Sequence, residues 1–198
     1  TDLMVSSDDG LLSMHKASTT PKDPVKGVID SLALAAEASG QTLSDYLARG
    51  ELLVHGTTHA INAIVTGSTA RTAFLTTAGH PDTLVIREGG RMEPFNFTVA
   101  YPEPYIPREL TFEIPERITV NGAIKTPLDE DATRAILEKL NSQNIEAIGV
   151  CFLWSVVNPA HERRLGALIE EMLPGVPYTL SHKINPSIRE YRRAISTC

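Results

Sequence analysis

Apolar positions along this chain follow two periods. Val25, Val28, Ile29, Leu32 and Ala36 recur at helical spacing and share one face. Asp23 is placed to cap that helix, Pro24 fits its first turn, and Gly40 ends it. Ahead of it, Leu3 to Val5 reads as a strand, and a turn at Asp8-Asp9-Gly10 leads into a second strand from Leu11 to Ala17, giving a hairpin. A short helix near Leu43 to Ala48, a strand Glu51 to His55, a helix Thr58 to Thr66 and a strand Arg71 to Thr76 continue as a βαβ pattern, with a further strand expected at Thr83 to Ile86.

From Met92 to Pro107 the pattern breaks, because Pro94, Pro102, Pro104 and Pro107 forbid a regular helix and favour an extended crossing. Short strands follow at Leu110 to Ile114 and Arg117 to Val120, then Asn121-Gly122, a tight-turn pair. Asp129 caps a helix with Ala132, Ile136, Leu137 and Leu140 inward. The near-continuous apolar run Ile145 to Leu153 is that of a strand covered on both faces, which predicts a parallel sheet. Asn158 and Pro159 open another helix that buries Leu165, Leu168, Ile169 and Met172; Pro174-Gly175 ends it before a strand from Val176 to Ser181. Arg193 to Cys198 reads as a strand just under way. The expected organisation is two α/β blocks, 1–90 and 110–198, joined by a linker over 91–109. Both ends read as interiors of something longer, with at least one of them paired in a sheet.

Composition changes this picture little. The 198 residues are 42% hydrophobic and 21% charged, ordinary for a folded chain. A formal charge of -6 argues against nucleic acid or an anionic membrane as the main partner and favours small molecules or proteins. Cys151 and Cys198 make neither a disulfide framework nor a zinc pattern, so a reducing cytoplasm is the expected setting. No apolar stretch reaches the roughly 20 residues of a membrane span, and the first residues lack the basic and apolar regions of a signal peptide.

Candidate chemistry gathers at three places. His55-Gly56-Thr57-Thr58 lies at an expected strand-to-helix junction, where backbone N–H groups, two hydroxyls and the positive end of a helix dipole suit a phosphate or carboxylate. The plainer alternative is that Gly56 permits a turn and Thr57 caps the helix. His55 and His59 are at metal-ligand spacing for one helix, but His55 is expected to end the strand, and the Glu of a metalloprotease motif is missing, so no metal site is assigned. In Arg87-Glu88-Gly89-Gly90-Arg91 two guanidiniums flank a diglycine and suit an anion, while a solvated loop after the strand is the favoured reading of the residues alone. Arg189-Glu190-Tyr191-Arg192-Arg193 is either a locally paired surface or a basic wall facing a cleft or partner. No Ser-His-Asp arrangement, Walker loop or Gly-x-Gly-x-x-Gly is present, so spacing yields no catalytic residue.

A set of short motifs in fixed order goes further. Thr1-Asp2-Leu3-Met4-Val5 is similar to the end of a Gly-Gly-Thr-Phe-Thr-Asp phosphate-loop strand, and His55-Gly56-Thr57-Thr58 with Asn62-Ala63 to a Gly-Thr-Thr and Asn-Ala signature. Arg71-Thr72-Ala73 with Leu75-Thr76-Thr77, Gly79-His80, Pro107-Arg108, Glu116-Arg117-Ile118 and Pro127-Leu128-Asp129-Glu130 continue the series. Phe152-Leu153 with Ser155, Asn158-Pro159 with His161-Glu162, and Arg189-Glu190-Tyr191 with Arg192 complete it. Over nearly its whole length the chain thus resembles the N-terminal region of the hydantoinase A/5-oxoprolinase family, which includes related ketone carboxylase subunits.

The resemblance implies an actin/hexokinase-like (ribonuclease H-like) α/β architecture that uses ATP with Mg²⁺ to phosphorylate a carbonyl oxygen and so open a cyclic amide. Under it Thr1, Asp2, Gly56, Thr57 and Thr58 are expected nucleotide contacts, and His55, Asn62, Arg87, Arg91, Glu190 and Arg192 substrate or anion contacts. The implied partners are a hydantoinase B-like second subunit and a small cyclic amide, within an oligomer. The upstream glycines of the phosphate loop are absent from this chain, so the fragment is expected to hold half a site. Two alternatives stand beside hydrolysis: a subunit of an ATP-dependent ketone carboxylase of the acetophenone type, and a non-catalytic assembly module.

Overall fold

The structure, a computed structural model, describes residues 1–20, 23–89, 93 and 95–198, with residue 59 described by its backbone alone. It divides into two compact units, Thr1–Thr58 and His59–Cys198.

In the first unit β1 (Asp2–Ser6) and β2 (Leu12–Lys16) form an antiparallel hairpin with Met4 opposite Met14. The chain's first residues are therefore sheet-paired, as expected. Helix α1 (Pro24–Ala38) packs on the hairpin and α2 (Leu43–Ala48) follows it. Asp23 caps α1 by accepting from the Lys26 amide, and Pro24 occupies the first turn. The face it buries differs from the expected one. Gly27, Ser31, Ala35 and Ala36 are buried, whereas Val25 and Ile29 are 65% and 48% exposed. Close approach explains the rotation: a Cβ added at Gly27 would lie 2.8 Å from Thr1 Oγ1, so only the small-residue stripe fits against the hairpin. No strand forms at Glu51 to His55; Leu52, Leu53 and Val54 are exposed and in no regular element.

The second unit opens with α3 (His59–Thr66) and is built on a parallel sheet. Its strands are β3 (Thr72–Thr77), β4 (Thr111–Ile114), β7 (Ala147–Cys151) and β8 (Tyr178–Leu180), in spatial order β4-β3-β7-β8. Between β4 and β7 the chain makes a small hairpin of β5 (Arg117–Ile118) and β6 (Ile124–Thr126), turning at Asn121-Gly122, where Gly122 has φ +80°. Helix α5 (Glu130–Ser142) is capped by Asp129, which accepts from the Ala132 amide at 2.9 Å, and buries Leu137 and Leu140. Helix α6 (Ala160–Met172) packs beside it and buries Leu165, Leu168 and Ile169.

Three further helices depart from or extend the expected pattern. Thr83–Ile86 is a short helix, α4, rather than a strand, because the Val85 and Ile86 amides turn back onto the Asp82 carbonyl. A one-turn helix α7 (Ser181–Ile184) follows β8. The end of the chain, expected as a strand, is helix α8 (Glu190–Thr197), with Arg193, Ala194 and Thr197 buried on one face. Gly149 lets α8 lie close on β7: an added Cβ would sit 3.3 Å from the Thr197 carbonyl oxygen.

The core runs through both layers: Phe74, Leu75, Ile148, Val150, Leu137, Leu140, Leu165, Leu168 and Ile169 are at most 1% exposed. Each such side chain contributes about 1.5–3 kcal/mol of burial. The class is mixed α/β with a parallel sheet. The Pro-rich stretch does not separate two sheets, since β3 before it and β4 after it pair directly; the contacts divide the chain at Thr58/His59, whereas the sequence placed the join at 91–109. Among the described residues no helix is long and apolar enough to cross a membrane.

Candidate functional site

The strand order decides where to look. From β3 the chain crosses to β4 on one side, then returns past β3 to β7 on the other, so the crossover direction reverses between β3 and β7. In open parallel sheets the loops leaving the carboxyl ends of two such strands part and leave a crevice. Here they are Gly79 to Thr83 after β3 and Leu153-Trp154 after β7, and they line an open cleft of about 600 Å³. Ile86, Arg87 and Glu88 at the end of α4, Arg117 of β5, and Arg189, Glu190 and Tyr191 at the start of α8 complete its walls.

Two carboxylates of the lining are already engaged. Asp82 accepts from Arg108 Nε at 2.8 Å. Glu88 accepts from Arg192 Nε and Nη2 at 2.6 and 3.1 Å, which holds its carboxyl below the usual range, and Arg189 stands 3.9 Å away. Arg117 donates to His80 Nε2 at 3.1 Å, so that nitrogen is the acceptor. Arg87 reaches the Glu103 carbonyl oxygen at 3.3 Å. Backbone strain gathers at the same place: among the described residues the non-glycine positions with positive φ are Arg87 (+59°), Asn144 (+53°) and Trp154 (+60°). Asn tolerates that region; Arg and Trp do so only when surrounding structure enforces it. Both line the cleft.

A buried polar frame fixes the loops. Glu116, 3% exposed, accepts from Thr77 Oγ1 and faces His161 Nδ1 at 2.7 Å, and Thr77 Oγ1 accepts from the Leu153 amide at 3.0 Å. That ties the end of β3 to the loop after β7. Glu162, fully buried, accepts from the Phe152 amide at 2.9 Å, Ser181 Oγ at 2.5 Å and the His182 amide at 3.1 Å, and faces His182 Nδ1 at 2.6 Å. Arg193, also fully buried, donates to the carbonyls of Phe152 at 2.8 Å, Ser187 at 2.6 Å and Ile188 at 3.0 Å. These side chains position backbone, that of the lining residue Leu153 included, and are not themselves part of the lining. Cys151 beneath them is no nucleophile, since burial pushes its thiol up to about 11.

The residues singled out in the sequence fall in several places. Arg87 and Glu190 both line the cleft, and Arg192 braces its Glu88. Arg91 lies outside the described residues. Thr1 and Asp2 begin β1, where the Thr1 ammonium donates to the Ala17 carbonyl at 3.1 Å and Asp2 meets Lys16 at 3.2 Å. His55, Gly56, Thr57 and Thr58 form an exposed irregular segment ending the first unit, and Asn62 is exposed on α3 of the second. Gly56 has neither a positive φ nor any atom within 4 Å of an added Cβ, so neither turn geometry nor packing within the described structure requires glycine there. Among the described residues no three His, Cys, Asp or Glu side chains gather into a metal-binding group. His80, Asp82, Arg117 and Trp154 were not picked out as site residues; the rule that ligands sit beyond the carboxyl ends of parallel strands at a reversal point would have led to them once the strand order was known.

Comparison with known proteins agrees with this architecture. A family profile described as "Hydantoinase/oxoprolinase N-terminal region" matches residues 1–173. The chain is 35% identical over 199 aligned residues to the caprolactamase subunit alpha of Pseudomonas jessenii, covering 100% of this chain and 29% of that protein. It is 32% identical to the acetophenone carboxylase gamma subunit of Aromatoleum aromaticum, covering 95% of this chain and 28% of that one. The crystal structure of the ATP-dependent caprolactamase from Pseudomonas jessenii superimposes with a TM-score of 0.87 at 34% identity, over 99% of this chain and 29% of the other. The nucleotide-free structure of an acetone carboxylase shares the fold, with a TM-score of 0.85 at 24% identity. The chain thus spans under a third of the length of these relatives.

Proposed function

The chain belongs to the hydantoinase/oxoprolinase family, and from that premise we propose that it is the N-terminal part of an ATP-dependent enzyme subunit that hydrolyses a cyclic amide. The observation that carries this reading is the likeness to the caprolactamase alpha subunit along the entire chain, in sequence and in three dimensions. Bound ATP would supply the phosphoryl group that makes the amide carbonyl oxygen a good leaving group. The chain's own share is binding and orientation.

The exposed Gly56-Thr57-Thr58 segment suits phosphate, because its glycine leaves the backbone approachable and its two hydroxyls can donate to anionic oxygens. Thr1 and Asp2 are proposed on the same nucleotide, with Asp2 offered to the Mg²⁺ that accompanies the phosphates. The cleft beyond β3 and β7, with Arg87 and Glu190 in its walls, is the proposed place for a small molecule. Caprolactamase alpha and the carboxylase relatives are named as subunits, which supports a second, hydantoinase B-like chain as partner. The likeness to the acetophenone carboxylase gamma subunit favours a second reading, in which the same activation serves carboxylation of a ketone.

Phosphate release by the complete subunit with its partner separates these readings. Release stimulated by a lactam, hydantoin or 5-oxoproline, with ring opening, is the expected result; release that requires a ketone and bicarbonate selects the second reading, and ring opening at full rate without nucleotide overturns the first. Replacing Thr57 and Thr58 together by Val removes two charge-assisted contacts worth about 1.5–3 kcal/mol each. ATP affinity is expected to fall at least about tenfold at an unchanged melting temperature. Unchanged affinity with a lowered melting temperature assigns the pair to capping instead.

A further inference from the structure

The cleft lining sets three arginines, Arg87, Arg117 and Arg189, against three carboxylates, Asp82, Glu88 and Glu190, and the flanking Arg108 and Arg192 tip the balance to positive. Asp82 and Glu88 are neutralised from outside the lining by Arg108 and Arg192. Arg189 also stands 3.9 Å from Glu88, whereas Arg87 and Arg117 donate only to neutral partners, the Glu103 carbonyl and His80 Nε2; among the described residues these two guanidiniums face Glu190, a lining carboxylate with no ion pair. The other walls are apolar or aromatic: Pro81, Ile86, Leu153, Trp154 and Tyr191. Two guanidiniums without an acidic partner beside an apolar floor match an anion that carries a hydrophobic body, since a bare inorganic anion would leave the aromatic wall in water and a neutral apolar molecule would leave the guanidiniums unanswered.

Strain points the same way. Holding Arg87 and Trp154 at positive φ costs on the order of 1–3 kcal/mol each. Arg87 supplies the charged end of the cleft and Trp154 its apolar wall, so the two enforced conformations present the two halves of one recognition surface. The frame behind them is rigid: Leu153, next to Trp154, is tied through Thr77 to the buried Glu116, whose neighbour is Arg117.

We propose that the cleft at the carboxyl ends of β3 and β7 is a binding site for a small organic carboxylate, its anionic group held by Arg87 and Arg117 and its hydrocarbon body lying against Trp154 and Tyr191. The proposal rests on the reading of this cleft as the small-molecule site and gives the chemical class of its ligand; it requires no nucleotide. It is tested by titrating the complete protein, without ATP, with cyclohexanecarboxylate, its neutral amide and inorganic phosphate. The signal is the component of tryptophan fluorescence that Trp154→Phe removes; in this chain Trp154 is the single tryptophan.

A saturable change with the carboxylate, at least about tenfold weaker with the amide and with phosphate, is expected, tenfold being ~1.4 kcal/mol. Arg117→Gln and Arg87→Gly should each weaken the carboxylate about tenfold while leaving the amide unchanged. Glycine accepts the backbone of residue 87 without strain, so that variant keeps the fold even if Arg117→Gln does not. Equal binding of amide and carboxylate overturns anion recognition, equal binding of phosphate reduces the site to a bare anion hole, and no saturable change removes the site altogether. ATP-coupled ring opening is read separately, by phosphate release, so its failure and the failure of this site are distinguishable.

Discussion

Cys151 shows how surroundings fix the chemistry of one residue. Its position at the end of β7 is 4% exposed, and burial lifts the thiol from 9.0 to about 11. A group whose folded value is raised contributes stability that is complete below the unfolded value and is lost as pH climbs through the folded one. Cys151 therefore stabilises the fold fully below pH 9, and this contribution, on the order of 3 kcal/mol, disappears as pH rises toward 11. Tyr and Lys also titrate there, so the measurement is a difference: the loss of melting temperature between pH 8 and pH 11, expected to be smaller in Cys151→Ala than in the unaltered chain. Identical pH slopes would show that the thiol is not isolated from water. At this scale the cleft was only partly legible. Arg87 and Glu190 stand in charged clusters that any reading stops at, but the positive φ of Arg87 and Trp154 is imposed by tertiary contacts and leaves no local mark. His80 and Trp154 come from the loops after β3 and β7 and Arg117 from β5, and nothing in their spacing joins them.

Elements were legible where local and long-range forces agree. For α5 the cap at Asp129, the acidic first turn and the inward Leu137 and Leu140 all point one way, and for β7 the unbroken apolar run matches a strand covered on both faces. They failed where short apolar runs lacked a sheet to join. Thr83-Leu84-Val85-Ile86 curls into a helical turn on Asp82, and Leu52-Leu53-Val54 stays irregular with 61–83% exposure. The tail misled because its helix begins at Glu190, inside the charged cluster, so the window from Arg193 caught only its second half. How the elements are locked together also lay beyond reach. Glu162, read as part of a helix start, gathers the ends of β7 and β8 through four donors. Glu162→Ala would leave the Phe152 and His182 amides and the His182 ring without their acceptor, a loss of about 3–5 kcal/mol, read by urea unfolding. A loss below about 1 kcal/mol would mean that water replaces the carboxylate and that the frame is not what holds the loops.

At the scale of the molecule, the alternation of capped helices and apolar strands announced a parallel α/β sheet, while strand order and the division of the chain did not follow from it. The pairing of β3 with β4 spans the Pro-rich stretch, so a break in the pattern looked like a break in the fold. The division at Thr58/His59 instead follows burial. Among the described residues every member of the main hydrophobic cluster lies between Ala73 and Ala194, whereas those the first unit buries are small, Ala17, Gly27, Ser31, Ala35 and Ala36, and Met4, Leu12 and Met14 are left at 66–71% exposure. Local opening free energy tracks the apolar area an element buries, so the two units should open at different levels. In hydrogen exchange of this chain, amides of β3 and β7 are expected to exchange last and together, with global unfolding. Those of β1, β2 and α1 should exchange at least about tenfold faster, a difference of ~1.4 kcal/mol or more. The same ordering should appear in limited proteolysis, with cuts in 51–58 and across 1–20 preceding any within 111–198. Exchange of both units at one rate would show a single cooperative fold and would move the boundary away from Thr58.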